Sequence, residues 1–182
     1  QYGRVTRFRP NGVPMDGPGH YVYVRDDADG SYWSLSWQPV GLPLAENRYA
    51  CRHGFSYSRY LSDVRGIHGE QTLFIPLDDD CELWDVRLTN TGHSPRALSV
   101  YGYCEFSFHN IEIDNQNFQM SLYAAGSRFI NGLTEYELHY EDDSREFFAA
   151  SFSPDSHDCL RDAFIGAYRT ERDPLGVQRG TL

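Results

Sequence analysis

Apolar and polar side chains alternate at every second position through almost the whole chain, and this period constrains the fold more than any other feature. The stretches RVTRFR, HYVYVR, SYWSLSWQPV, GFSYSRYLS, QTLFIPL, CELWDVRLTN, ALSVYGYCEFSF, FQMSLYAAG, TEYELHY and EFFAASF alternate or run apolar, with many β-branched and aromatic residues. Successive side chains of a strand point to opposite faces, so the pattern predicts half-buried strands. Turn-forming stretches separate them: NGVPMDGPG, DDADG, SPR, Asn131-Gly132 and EDDS. Asn131-Gly132 stands between two strand-like runs and predicts a tight hairpin. TNTGHSPRALSV predicts a second hairpin, with the chain turning over residues 92–95. Trp33, Leu35 and Trp37 alternate as on one strand, the two indoles packing in the core or on a sheet face. Only SHDCLRDAFIG suggests a helical turn. About ten strands with turns every ~8–12 residues predict an all-β fold, a sandwich of antiparallel sheets in a single domain over residues 1–182.

Composition narrows the partners. The formal net charge of −10 argues against a nucleic-acid backbone, which calls for a basic footprint. All 16 basic residues are arginine, as coding bias alone can produce. The four cysteines, Cys51, Cys81, Cys104 and Cys159, form no CxxC pair, which disfavours a zinc site. No apolar leader or membrane-length span is visible, so a reduced cytoplasmic setting is expected. The chain opens on QYGRVTRF and closes on VQRGTL, and a domain cut from a longer protein at both ends is expected.

Catalytic patterns are missing. The carboxylate groups Asp26/Asp27, Asp78/Asp79/Asp80, Glu112/Asp114 and Glu141/Asp142/Asp143 sit mostly in turn-like positions, where Asp caps backbone donors. Residues 78–80 lack the spacing of a calcium loop. His53 in ACRHGFSY and His109 stand out among scattered histidines, without metal-ligand spacing and without a G-x-S-x-G elbow. One segment is chemically distinctive: FHNIEIDNQNFQM at 108–120 gathers Asn110, Asn115, Asn117, Gln116 and Gln119. Amides both donate and accept hydrogen bonds, which suits sugar hydroxyls and equally suits a polar loop that bonds its own backbone.

Longer stretches carry a resemblance. RFRPNGVPMDGPGHYVYVRDDADGSYWSLSWQPVG, CRHGFSYSR and FIPLDDDCELWDVRLTNTGHSPRALSVYGYCEF resemble the N-terminal region of glycoside hydrolase family 94, inverting disaccharide and oligosaccharide phosphorylases. RPNGVPMD, FHNIEIDNQNFQMSLYAAG and SFSPDSHDCLRDAFIGAYRTERDP are most similar to its cellodextrin-acting members.

The resemblance implies an N-terminal super-sandwich followed by an (α/α)6 barrel in a homodimer. It implies phosphorolysis of the terminal β-1,4-glucosidic bond of cellodextrins to α-glucose 1-phosphate, reversibly, with inorganic phosphate as co-substrate and no metal or organic cofactor. The general acid of the family is an aspartate on the barrel, so no catalytic residue is expected within residues 1–182. Gln119, Asn117 and Asn110 are the implied substrate-binding residues, at the acceptor side of the site. Gln119 matches a glutamine-arginine pair of related cellobiose phosphorylases, but Met120 stands where they carry arginine. An uncharged side chain there removes a donor fork and leaves room for longer acceptors. The alternatives are cellobiose phosphorylase activity, an independent β-glucan-binding module without catalysis, and a purely structural β domain.

Overall fold

The structure is a computed structural model and describes Thr6, Gly17 and residues 19–106, 125–138 and 145–182. It is nearly all β, as the alternation requires. The strands run β1 (His20–Asp26), β2 (Tyr32–Ser34), β3 (Asn47–His53), β4 (Tyr57–Val64), β5 (Ile67–Phe74), β6 (Leu83–Asn90), β7 (Leu98–Cys104), β8 (Ala125–Ile130), β9 (Leu133–Leu138) and β10 (Arg145–Ala149). Two five-residue helices follow, α1 (Arg161–Ile165) and α2 (Leu175–Arg179). Among the described residues no helix is long and apolar enough to cross a membrane.

The chain divides into two compact units. One comprises Tyr21–Gly102 with Arg169–Gly180. Its strands form two sheets, ordered β2-β1-β7 and β3-β4-β5-β6. The second is an antiparallel meander, and β4 turns into β5 over Arg65-Gly66, both at positive φ (51° and 81°). That pair of left-handed residues matches the twist of a two-residue hairpin. Val22, Val24, Trp33 and Leu35 meet Val64 and Ile67 in a core that Trp84, Val86, Leu88 and Leu98 flank. Each fully buried apolar side chain contributes about 1.5–3 kcal/mol.

β1 is buried on both faces, which explains its nearly unbroken apolar run. Val22 and Val24 face the core, whereas Tyr21 and Tyr23 take the other side. There the Tyr23 hydroxyl donates to the Glu171 carbonyl at 2.7 Å, holding the segment that carries α2.

The other unit comprises Gln1–His20, Tyr103–Tyr168 and Thr181–Leu182. Its antiparallel sheet is ordered β10-β9-β8. Asn131-Gly132 turns β8 into β9 with φ of 51° and 85°, as the sequence predicts. Arg128 bridges Glu135 and Glu137 on this sheet. Tyr103 stacks on Phe164 of α1 at 5.0 Å, and Arg161 Nε donates to Glu105 at 2.8 Å.

Two expectations change. The turn over residues 92–95 does not close a hairpin, because β6 and β7 belong to different sheets. Trp33 and Trp37 do not share a strand, since β2 ends at Ser34 and Trp37 has left-handed φ (63°). Trp33 is core at 1% exposure, whereas Trp37 is half-buried in the following loop.

Candidate functional site

Asn110, Asn117 and Gln119, with Met120 beside them, lie outside the described residues, and so does His109. The described residues bring together a different set, on the core-side face of the β3–β6 sheet. Residues directly opposite each other in an antiparallel pair share a face. The register therefore puts Asn47, Tyr49, Cys51 and His53 of β3 with Ser58, Tyr60, Ser62 and Val64 of β4. Ile67, Gly69, Gln71 and Leu73 of β5 continue that face, and Trp84, Val86, Leu88 and Asn90 of β6 complete it. Val64 and Ile67 end in the core, but burial falls away toward the β3–β4 turn: Tyr49, Ser58 and Tyr60 are half-buried, Cys51 and His53 exposed.

Aromatic rings line this half-buried part. Trp37 lies 6.4 Å from Tyr49, which lies 6.5 Å from Tyr60 with the two rings within 19° of parallel. The Trp37 indole N–H donates to the Leu42 carbonyl at 2.7 Å, fixing the ring that begins the row. At the other end His53 meets Tyr60 edge-on at 6.3 Å. Its Nε2 lies 3.1 Å from Cys51 Sγ and its Nδ1 2.9 Å from Ser58 Oγ. Burial, followed by the neighbouring Cys51, pushes the Tyr60 phenol up.

Three polar side chains beside the row are almost fully buried. Asn47, Ser62 and Gln71 are each 1% exposed, and Asn47 Oδ1, Ser62 Oγ and Gln71 Oε1 have no hydrogen-bond partner among the described residues. Buried acceptors are rarely left unmatched in native folds.

The opposite face of the same sheet is charged. Arg59 pairs with Glu70, and His68 Nδ1 bonds Asp63 at 2.5 Å while its Nε2 lies 3.4 Å from Glu70. The bond to Asp63 raises the His68 pKa, and that to Arg59 lowers the Glu70 pKa. These groups satisfy one another in solvent, a surface network rather than a site. Among the described residues no cluster of three or more His, Cys, Asp or Glu could hold a metal ion.

The aromatic face offers apolar ring surfaces next to an imidazole, hydroxyls and a thiol, and the Glu82 carboxylate, which accepts the Trp84 indole N–H at 2.6 Å, adds to the upward push on the Tyr60 phenol. It can bind and orient a ligand. Sequence reading marked His53 and the CRHGFSYSR stretch but not the row, because Tyr49 and Tyr60 become neighbours only through the β3–β4 register.

Three sheets and almost no helix among the described residues make the chain a β domain. The family model for the glycosyl hydrolase 94 supersandwich domain matches residues 1–182, and the chain belongs to that family. The chain is 52% identical over 183 residues to an N,N'-diacetylchitobiose phosphorylase of Vibrio proteolyticus and 50% identical to one of Vibrio furnissii. Each alignment covers 99% of this chain and 23% of the relative. A solabiose phosphorylase of Paenibacillus borealis is 30% identical over 98% of this chain and 22% of its own length. The chain thus spans about a quarter of the length of the curated relatives it matches.

Proposed function

We propose that the chain is the supersandwich domain of an inverting phosphorylase whose substrate is a β-linked disaccharide of N-acetylglucosamine. The observation that carries this reading is the 52% identity, over 99% of the chain, to a protein named for N,N'-diacetylchitobiose. Identity falls to 30% for the solabiose phosphorylase and 26% for a cellobionic acid phosphorylase of Neurospora crassa. The reaction transfers the sugar to inorganic phosphate as co-substrate, giving N-acetylglucosamine 1-phosphate and free N-acetylglucosamine. Gln119, Asn117 and Asn110 serve as acceptor-side contacts in this reading, and the general acid lies outside residues 1–182. Cellodextrin phosphorolysis is the second reading, favoured by the uncharged Met120 after Gln119.

The test is sugar 1-phosphate release by the full-length protein from N,N'-diacetylchitobiose and from cellotetraose. A kcat/KM about 100-fold or more in favour of N,N'-diacetylchitobiose is expected, since a site built to bond the N-acetyl groups rejects a sugar lacking them. Preference for cellotetraose overturns the first reading in favour of the second.

A further inference from the structure

We propose that Cys51 is a nucleophilic thiol, with His53 as its base and Ser58 orienting that base, and that it exchanges with small-molecule disulfides to form a mixed disulfide. Thiol exchange at this edge of the sheet is separate from sugar phosphorolysis, so neither reading depends on the other.

The geometry supplies three parts. Cys51 and His53 stand two residues apart on β3 and so share a face. His53 Nε2 lies 3.1 Å from Cys51 Sγ, and His53 Nδ1 lies 2.9 Å from Ser58 Oγ. A nucleophile in contact with a base that a third group orients is the recurring arrangement of activated thiols and hydroxyls. The strand register enforces it, since His53 stands directly opposite Ser58 and Cys51 directly opposite Tyr60. Paired strands hold such groups more tightly than a loop does.

The protons follow from the partners. Ser58 also hydrogen-bonds the Tyr60 phenol, and with its own proton committed there it accepts the His53 Nδ1–H. That leaves Nε2 bare toward Cys51, able to take the S–H proton. The resulting imidazolium keeps both bonds, Nε2–H donating to the thiolate and Nδ1–H to Ser58. The Glu82 carboxylate, whose charge reaches Tyr60, already accepts the Trp84 indole N–H, and His53 is the base in contact with the thiol.

Access singles out the same residue. β3 is an edge strand, and Cys51 and His53 are exposed, whereas Cys81, Cys104 and Cys159 are half-buried. Reactive thiols combine solvent access with a neighbour that favours the thiolate.

The exchange balances without a further oxidant. The Cys51 sulfur attacks one sulfur of the incoming disulfide, a new S–S bond forms as the old one breaks, and the departing thiolate takes the proton from the His53 imidazolium.

The experiment treats the full-length protein with glutathione disulfide at pH 7 and follows the mixed disulfide on each of the four cysteine-bearing peptides by mass spectrometry. Cys51 is expected to react about tenfold faster than Cys81, Cys104 or Cys159. His53→Gln is expected to slow Cys51 about tenfold or more and to leave the other three unchanged, and Ser58→Ala to slow it by a smaller factor. A variant that merely loosens the sheet speeds thiol modification instead of slowing it, so the direction separates a base from a structural contact. A Cys51 rate that matches the other cysteines, or that stays the same or rises in His53→Gln, overturns the proposal.

Discussion

Asp26 and Arg96, 70 residues apart in the sequence, form an ion pair that ties the end of β1 to the segment leading into β7. The Asp26 carboxylate is buried and also accepts the Ala28 N–H at 3.0 Å, and Arg96 reaches on to the Arg65 carbonyl at 2.9 Å. Arg65 in turn bonds Asp29 at 2.7 Å. Two tight turns, after β1 and after β4, are thereby fixed to one arginine. The Ala28 N–H first, and Arg96 after it, hold the Asp26 carboxyl below its usual range.

Replacing Arg96 by Met strands a buried carboxylate, and the expected loss is about 2–3 kcal/mol at pH 7, read by urea unfolding. A carboxyl with depressed pKa contributes stability that is present above its unfolded value and lost as pH falls through its folded value. Without Arg96 the folded pKa of Asp26 rises, so the acid limb of the stability curve moves to higher pH. Asp26→Asn in the Arg96→Met background recovers part of the loss. An acid limb that does not move counts against Arg96 as the partner.

His68 gives the opposite pH dependence. Its bond to Asp63 raises its pKa, so its contribution is complete below the unfolded value of about 6.5 and is lost as pH rises through the folded value. The melting-temperature gap between wild type and His68→Gln is therefore larger at pH 5.5 than at pH 8.5. Both partners are well exposed, so the gap shrinks with added salt. Equal gaps at the two pH values refute the pairing.

The Asn131-Gly132 turn tests how far local chemistry alone specifies structure. A Cβ on Gly132 meets nothing within 4 Å, yet its φ of 85° is strained for any L side chain. Gly132→Ala is expected to destabilise by about 1–2 kcal/mol through the backbone alone, and Gly132→D-Ala by chemical synthesis removes that cost. Equal destabilisation by both isomers places the cause elsewhere.

That turn was legible because Asn-Gly encodes both left-handed residues within the dipeptide. Only the second half of β5 was legible for a similar local reason: QTLFIPL overlaps it at residues 71–74, where buried Gln71 and Leu73 alternate with Thr72 and Phe74. Residues 92–95 show the limit. They turn the chain as expected, but a turn carries no record of which strand the next one pairs with, and β7 joins β1 rather than β6. β3 escaped the pattern search because an edge strand exposed over residues 50–53 has little apolar signal to offer. The aromatic row escaped for a third reason. Trp37 reaches it from a loop and Tyr49 and Tyr60 from two strands, so no stretch of sequence contains it.

Gly69 explains how the two sheets approach so closely at the centre of the core. A Cβ there would lie 2.5 Å from Leu35 Cδ2 and 3.0 Å from Ser62 Oγ. Leu35 is fully buried and Gly69 sits opposite Ser62 and Leu88, so the leucine side chain occupies the space a larger residue would need. Gly69→Ala is expected to cost about 1–3 kcal/mol by overpacking. Leu35→Ala alone costs about 3 kcal/mol by leaving a cavity. In the double variant the new methyl fills part of the space the leucine vacates, so the combined loss falls short of the sum by about 1 kcal/mol or more. Urea unfolding of the four proteins in the cycle gives that difference directly. Strict additivity shows that the leucine does not abut the glycine, and that some other contact sets the sheet spacing.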